Sequence, residues 1–509
     1  MEHRENELNR RWLTLVLLGI LLHFIAFFTA DLGLDAHVRL NALNDDSSPG
    51  QELEWGPLRL DNSSEQSPSI PGDYDGYVAP WFSTPVSIKL TAMACMALLA
   101  ALVAFQPKWS REEGMFEPMW PALLLLSPVL LFSVSRGYDE GALALLLGLG
   151  VSGFYFNQGE TPSQQQGHVL LMSFSVLLLL GWKGFSLLTA ATVWFGVLMA
   201  GFLWIALNHR LTKHHDDPVT QHPWKMAACS SVTVLLLVVM YGGMSSSGTF
   251  AIVSQQPLLF LIALPFALFD TLVLYILIGF ALWPFVWNRM EGLRSMRGPG
   301  ISLLCGFSFG LLTGIVTYVA ALWCLESVLW GQTLAQTMVV LGNNGRYATV
   351  LLVPIFLILR WPGSEQRDAV SFRTSGVALA LILPLMLFTA LIGHQLWSAD
   401  AGLSLSEAWE MEDQSFLMVA EESLAMHHLY VIKSSIDVDG ARDVKGYWRT
   451  VDVAPEFLAS NQLDFLLVAP NVEYQPNPSS WTVVVQEPVP VDVPGGIQSG
   501  SWSLYRYTA

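Results

Sequence analysis

Charged side chains suited to acid–base chemistry or anion binding occur in four short segments, each at the end of a long apolar run. The first segment contains Asp31 and Asp35, which share a face if the preceding helix continues, followed by His37. Paired carboxylates suit a general base, and together with the imidazole they offer ligands for a divalent cation. The alternative is an ordinary polar collar after a membrane span.

The second segment is a short connection with three charges. It contains Arg136, Asp139 and Glu140 between two apolar runs. The carboxylate of Glu140 is a further candidate metal ligand. The alternative is again structural, because a short loop needs polarity and acidic residues favour the positive end of a following helix.

The third and fourth segments each supply one cation. Lys183 interrupts roughly forty apolar residues, and Arg346 with Tyr347 opens an apolar run that contains Pro354. An anion contact is the functional interpretation, since arginine suits forked phosphate recognition. A lysine at the membrane interface and an arginine that marks a helix start are the alternatives, although a cation is unfavourable at a helix N-terminus.

Apolar runs long enough to cross about 30 Å of hydrocarbon position these segments. The pattern predicts eleven spans, at 12–30, 86–106, 119–134, 141–156, 168–181, 185–207, 226–244, 257–287, 301–325, 347–360 and 375–397. The run 257–287 contains Pro265 and Asp270, which predicts a kinked or broken helix.

Composition and charge support a membrane protein. Of the 509 residues, 52% are hydrophobic and 13% are charged, whereas soluble domains carry about 25% charged residues. A net charge of -17 argues against a nucleic-acid partner. With the N-terminus inside, fourteen Lys and Arg lie in cytoplasmic segments and five in outer loops, so we expect a plasma-membrane protein with its C-terminus outside.

Two soluble pieces lie outside in this topology. One is the first outer loop, 31–85, and the other is a C-terminal domain, 398–509, that follows the membrane domain 1–397. The tail has runs typical of strands, at Phe416–Ala420, Leu429–Ile432, Phe465–Val468 and Trp481–Val485, which predict a small α/β or β-rich domain. No catalytic motif is visible in it.

The order of these motifs resembles the GT-C superfamily of integral-membrane glycosyltransferases, above all protein O-mannosyltransferases and bacterial aminoarabinose transferases that act on lipid A. The motifs are Asp35-Ala36-His37-Val38-Arg39, Ser135-Arg136 with Asp139, Lys183-Gly184, and Arg346-Tyr347 with Pro354. The chain departs from the family where Ala36 replaces the usual second acid. Asp31 or Glu140 is then the candidate substitute.

This resemblance implies a GT-C-like helix bundle that transfers a hexosyl or pentosyl group from a polyprenyl- or dolichyl-phosphate carrier. The acceptor is a protein, lipid or glycan on the outer face, and the configuration is inverted. The implied catalytic residues are Asp35 as base, with Asp31 and Asp139; the implied donor-phosphate ligands are Lys183, Arg346, Tyr347 and Arg136. The candidate ligands for a divalent cation are Asp31, His37 and Glu140.

Two other functions stay open at this stage. A transporter or flippase for a lipid-linked or anionic solute would use the charged residues as a pathway, but only Asp270 lies near the middle of a span and no inverted repeat is visible. An inactive GT-C-like scaffold that presents the tail to partners is the other, and the departure at Ala36 favours it.

Overall fold

The computed structural model describes residues 2–37, 40, 52–54, 84–105, 117–183, 185–210, 223–244, 248–296, 298–329, 331–361, 372–391, 395–410, 414–421, 424–437, 444–490 and 500–508. Most of them are helical. The helices of the membrane domain are α1 (Glu2–Thr29), α2 (Pro85–Ala104), α3 (Met119–Leu125), α4 (Pro128–Ser135), α5 (Glu140–Gly150), α6 (Gly153–Phe156), α7 (Pro162–Trp182), α8 (Leu187–Arg210), α9 (Pro223–Met244), α10 (Gly248–Gln255), α11 (Pro257–Leu268), α12 (Trp283–Ser295), α13 (Pro299–Leu329), α14 (Leu334–Leu341), α15 (Leu352–Arg360) and α16 (Phe372–Leu391).

Six stretches in the described part of the chain are long and apolar enough to cross a membrane. They are Glu7–Thr29, Pro85–Ala104, Pro162–Trp182, Leu187–Leu207, Pro257–Ile278 and Pro299–Val328. Large apolar side chains such as Leu17, Phe28 and Leu170 are exposed on them. An exposed apolar surface of this extent suits lipid contact, and the protein is an integral membrane protein.

Several other predicted spans are shorter or broken helices. The run 119–134 divides into α3 and α4, because Pro128 begins the second helix and holds Ser127 in an extended conformation. The run 141–156 divides into α5 and α6. The run 375–397 divides as well, since α16 ends at Leu391 and a new helix begins at Trp397.

Two further runs contain unusual helices. In 257–287, α11 continues as a π-helix over Phe269–Ile278, and the chain turns at Ala281, whose φ is 51°, before α12 begins. In 347–360, the first residues belong to a 3₁₀-helix over Gly342–Leu351, and α15 follows it. Such irregular helices are frequent at functional sites, and both of these lie beside the cluster described below.

In its described residues the C-terminal domain combines one sheet with three helices. The helices are α17 (Trp397–Ala408), α18 (Ala425–Ile436) and α19 (Ala454–Ser460), and the strands of the tail are β2 (Ser415–Val419), β3 (Lys445–Arg449), β4 (Phe465–Val468), β5 (Trp481–Pro488) and β6 (Ser501–Tyr507). Its core contains Trp397, Phe416, Trp448 and Trp502, all almost fully buried. The tail is therefore an α/β domain, and the run Leu429–Ile432 is helical because it lies within α18.

The sheet has one strand from outside the tail. Its order is β1-β3-β2-β4-β6-β5, where β1 is Glu52–Glu54 in the predicted first outer loop. β1 pairs with β3 in parallel, as β3 does with β2 and β2 with β4, whereas the pairs with β6 are antiparallel. The loop and the tail thus build one domain.

Candidate active site

Arg346 lies at the centre of a buried network of charges. Its Nη2 donates to Oδ2 of Asp35 at 2.8 Å, and its Nε donates to Oε1 of Glu140 at 2.9 Å. The Arg346 side chain is 4% exposed, that of Glu140 is 1% exposed and that of Asp35 is 26% exposed. Three segments that are far apart in sequence therefore meet through one guanidinium group.

Aromatic rings hold this guanidinium group in place. Cζ of Arg346 lies 4.7 Å from the ring centroid of Tyr138 and 5.1 Å from that of Tyr347. Burial acts to lower the pKa of Arg346, but the nearby Tyr347, Glu140 and Asp35 outweigh it and raise the pKa well above its ordinary value. Arg346 is therefore a permanently charged bridge between two carboxylates.

A second ion pair lies next to this network. Nζ of Lys183 is 3.3 Å from Oδ2 of Asp139, and it lies 5.4 Å from the ring centroid of Tyr347. Because Arg346 contacts the same ring, both cations lie beside Tyr347. The Lys183 side chain is 22% exposed whereas that of Asp139 is 6% exposed, so the ammonium group is the accessible member of the pair.

Hydrogen bonds hold the residues that precede Asp35 in place. The backbone N–H of Gly33 donates to the carbonyl oxygen of Arg136 at 2.8 Å. Nζ of Lys89 donates to the carbonyl oxygens of Phe27 and Ala30 and so caps the C-terminus of α1, where a cation is favourable. The bond from Gly33 connects the first charged segment to the second, and Lys89 joins the end of α1 to α2.

Asp31 and Arg136 have structural contacts of their own. Oδ2 of Asp31 accepts a hydrogen bond from the backbone N–H of Leu396 at 2.7 Å. Burial raises the pKa of Asp31, and the bond from Leu396 opposes that effect. The guanidinium group of Arg136 stacks over Phe132 at 4.4 Å and donates to the Tyr138 hydroxyl. Asp31 thus lies at the junction with the C-terminal domain, and Arg136 supports the ring under Arg346.

The predicted metal ligands are not grouped together in the described part of the chain. Among the residues that the structure describes, no group of three or more His, Cys, Asp or Glu side chains is placed to hold a metal ion. Glu140 binds Arg346 instead, Asp31 binds a backbone amide and His37 is buried. These contacts give no support to a metal site built from Asp31, His37 and Glu140, which stays a prediction.

The departure at Ala36 has a packing reason. Ala36 is 1% exposed and lies in a small apolar cluster with Leu32, Leu40 and Ile88. A carboxylate at this position would lose its hydration without gaining a cation or a hydrogen-bond donor from these apolar neighbours. The first segment therefore supplies one carboxylate to the network. Val38 and Arg39 of the same motif, and Gly184 beside Lys183, lie outside the described residues.

Comparison with known proteins gives similarity to two solved structures and no match among family models or curated proteins. ArnT from Cupriavidus metallidurans in the apo state aligns with 97% of this chain and 97% of its own, at 11% identity and a TM-score of 0.40. The same protein bound to undecaprenyl phosphate aligns over the same shares at 10% identity and a TM-score of 0.44.

The C-terminal domain contributes a histidine that sequence reasoning missed. Nε2 of His427, in the first turn of α18, is 3.6 Å from Oδ1 of Asp35. The adjacent His428 is buried, and its Nδ1 is 2.7 Å from Oγ of Ser398. The only available signal was the pair His427-His428 in a tail without a recognisable motif, which is too weak to assign.

Asp270 also belongs to this neighbourhood. It lies in the π-helix and is 7% exposed, and it accepts a hydrogen bond from the backbone N–H of Gly345. A Cβ at Gly345 would collide with Asp270 and with the ring of Tyr275. The close approach of these two side chains to the backbone favours glycine beside Arg346, and the bond from Gly345 lets Asp270 support the 3₁₀-helix that carries the central arginine.

Proposed function

We propose that the protein is a glycosyltransferase that moves a sugar from a polyprenyl- or dolichyl-phosphate carrier to an acceptor hydroxyl at the membrane surface. One observation carries this proposal: the four charged segments meet, and in their ion pairs Asp35 and Lys183 are partly exposed whereas Arg346, Glu140 and Asp139 are buried. A carboxylate and an ammonium group that solvent can reach suit a base for the acceptor and a cation for the lipid phosphate.

Asp35 is the base in this proposal. Arg346 holds Oδ2 from the buried side, while 26% of the side chain remains exposed. A carboxylate has about four lone-pair positions, so it accepts a further proton donor while it stays bound to Arg346. Of the other predicted acids, Asp139 is paired with Lys183 and Asp31 binds the amide of Leu396.

Lys183 is the first contact for the donor phosphate. Its ammonium group has three donors, of which Asp139 engages one at 3.3 Å. Arg346 was also expected to bind this phosphate, with Tyr347 and Arg136. The contacts of its guanidinium group with two carboxylates favour a different role, in which Arg346 orients Asp35. The ring of Tyr347 then lies next to both Arg346 and Lys183.

The reaction is a single displacement that inverts the anomeric carbon. The acceptor oxygen bonds to the anomeric carbon as its proton passes to Asp35. The bond between this carbon and the phosphate oxygen breaks, and its electron pair stays on the phosphate. Lys183 stabilises the negative charge of the leaving phosphate, which is usually the largest catalytic contribution in such a site. The sequence contains no Rossmann-type Gly-rich signature for a nucleotide, and a lipid-linked sugar donor needs none.

The transport alternative has less support. A pathway needs ionisable groups through the membrane as well as at its outer edge, and Asp270, which lies near the middle of a predicted span, binds the amide of Gly345 next to Arg346. The inactive-scaffold alternative depended on Ala36, whose apolar surroundings account for the missing acid.

The test is transfer from a panel of radiolabelled polyprenyl-phosphate sugars by the purified protein in lipid nanodiscs. We expect Asp35→Asn to lower turnover by at least about a hundredfold, the range of general-base catalysis. Asp452→Asn, at an exposed aspartate of the C-terminal domain, is the matched control. Wild-type turnover in Asp35→Asn would remove Asp35 from the role of base, and loss in Asp31→Asn alone would assign that role to Asp31.

A further inference from the structure

His427 faces the proposed base from the opposite side to Arg346. Arg346 contacts Oδ2 of Asp35, whereas Nε2 of His427 is 3.6 Å from Oδ1. The two partners come from different domains, because His427 belongs to α18 of the C-terminal domain. The carboxylate therefore lies between a cation of the membrane domain and an imidazole of the soluble domain.

Apolar packing fixes this arrangement next to both residues. Leu34, which precedes Asp35, is 9% exposed and packs with Leu396 and with Val431 of α18. On the same helix His428 binds Ser398 at 2.7 Å, and its ring lies 4.9 Å from that of Trp397. These contacts hold the first turn of α18 against the segment of Asp35, so His427 is not a mobile surface histidine.

The surroundings favour a neutral imidazole with its proton on Nε2. Nδ1 of His427 is buried and has no hydrogen-bond partner among the described residues, and a buried N–H without an acceptor is costly. The position in the first turn of a helix also disfavours a cation. In this tautomer Nε2–H points its donor at Asp35.

We propose that His427 is a positioning residue: in the complex with substrate its Nε2–H donates to Oδ1 of Asp35 and, together with Arg346 on Oδ2, holds the carboxylate in the orientation that accepts the acceptor's proton. This inference rests on the function proposed above. A separation of 3.6 Å is long for a hydrogen bond, and catalytic hydrogen bonds often shorten only when substrate is bound.

The charge of His427 depends on the groups that face it. Burial lowers its pKa, Asp35 raises it and Arg346 lowers it. His428 on the same helix is itself held neutral by burial, and His37 lies near His428. Protonation of His427 at acidic pH turns its contact with Asp35 into an ion pair, which makes the carboxylate a weaker base, so the acid limb of the activity profile contains this group.

The first experiment measures kcat and KM against pH for His427→Leu and His427→Gln in the same transfer assay. We expect His427→Leu to lower kcat roughly 10- to 100-fold, the loss that one hydrogen bond to a charged group implies, with little change in the KM for the donor. His427→Gln keeps a donor near the Nε2 position, so it restores most of kcat and removes the histidine from the acid limb. Wild-type kcat in His427→Leu at every pH would overturn the inference.

The second experiment needs no activity. Histidine titrations are followed by NMR on protein labelled with ¹⁵N-histidine, with the His427 signal assigned by its absence in His427→Gln. Because Asp35 raises the pKa of His427, we expect Asp35→Asn to lower it. An unchanged titration would refute the contact even if transfer is demonstrated, whereas a lowered pKa without any transfer would count against the proposed function alone.

Discussion

The pairing of Arg346 with Glu140 gives a prediction about stability. Glu140 is 1% exposed, its Oε1 accepts from Arg346, and its Oε2 has no hydrogen-bond partner in the described part of the chain. Arg346→Leu therefore leaves a buried carboxylate without any counter-charge. Removing one partner of a buried pair costs about 3 to 5 kcal/mol, and we expect a loss of unfolding free energy in this range.

The double variant separates the contact from the burial cost. In Arg346→Leu with Glu140→Leu both buried charges are gone, so we expect it to be more stable than Arg346→Leu alone. Glu140→Gln retains an acceptor for Arg346 and should cost only about 1 to 2 kcal/mol. Unfolding by a denaturing detergent in mixed micelles, followed by tryptophan fluorescence, measures all of these free energies.

A surface pair provides the control. Arg506 and Glu410 form a salt bridge at 3.0 Å with side chains that are 38% and 59% exposed. Because solvent screens such a pair, Arg506→Leu should leave the unfolding free energy unchanged. Two results would contradict the buried pair: an Arg346→Leu protein as stable as Arg506→Leu, or a double variant no more stable than Arg346→Leu alone.

Three further predictions concern the phosphate contact, a close approach and pH. Lys183→Gln should lower transfer about tenfold or more while Lys183→Arg retains part of it, since a cation stabilises the leaving phosphate; initial rates against donor concentration measure this, and equal rates in both variants would exclude a phosphate contact. Gly345→Ala should lower the unfolding temperature, because a Cβ there collides with Asp270 and Tyr275, whereas Gly376→Ala in α16 has open space and should not; equal melting temperatures would contradict the close approach. Burial lowers the pKa of His37 and of His428 to about 3, so the unfolded chain binds protons before the folded one as pH falls below about 6.5. The unfolding free energy should therefore decrease from there towards pH 3, by up to about 1.4 kcal/mol per pH unit for each group. An unfolding free energy that stays constant between pH 7 and pH 5 would contradict buried neutral imidazoles.

The site was predictable where a charge interrupts an apolar run. Asp35, Glu140, Lys183 and Arg346 each follow or precede such a run, and a membrane brings run ends to a common level, so hydropathy places these charges at one depth. Which charges pair with each other did not follow, because pairing depends on how the helices pack. Arg346 shows the difference, since its sequence context suits a phosphate contact and a contact with carboxylates equally well.

The rest of the fold depends on contacts that hydropathy does not record. Pro128 divides a run whose composition still suits one span. The run Leu429–Ile432 is apolar and contains β-branched residues, yet it lies in α18, where Leu429 and Ile432 share the face that packs in the domain core. His427 lies in that helix, so its place beside Asp35 could be found only after the tail was folded against the first charged segment.

The position of β1 sets an order on biosynthesis. Glu52–Glu54 emerge early in translation, whereas the strand they pair with, Lys445–Tyr447, is made only after the last membrane helix. The sheet therefore has to close around a chain that is already threaded through the bilayer, and a contact of such large sequence separation forms slowly. Until the sheet forms, Glu52–Glu54 has no partner strand. The completed sheet then joins a segment that follows the first membrane helix to the domain that follows the last one. It forms only after the helices between them have been made.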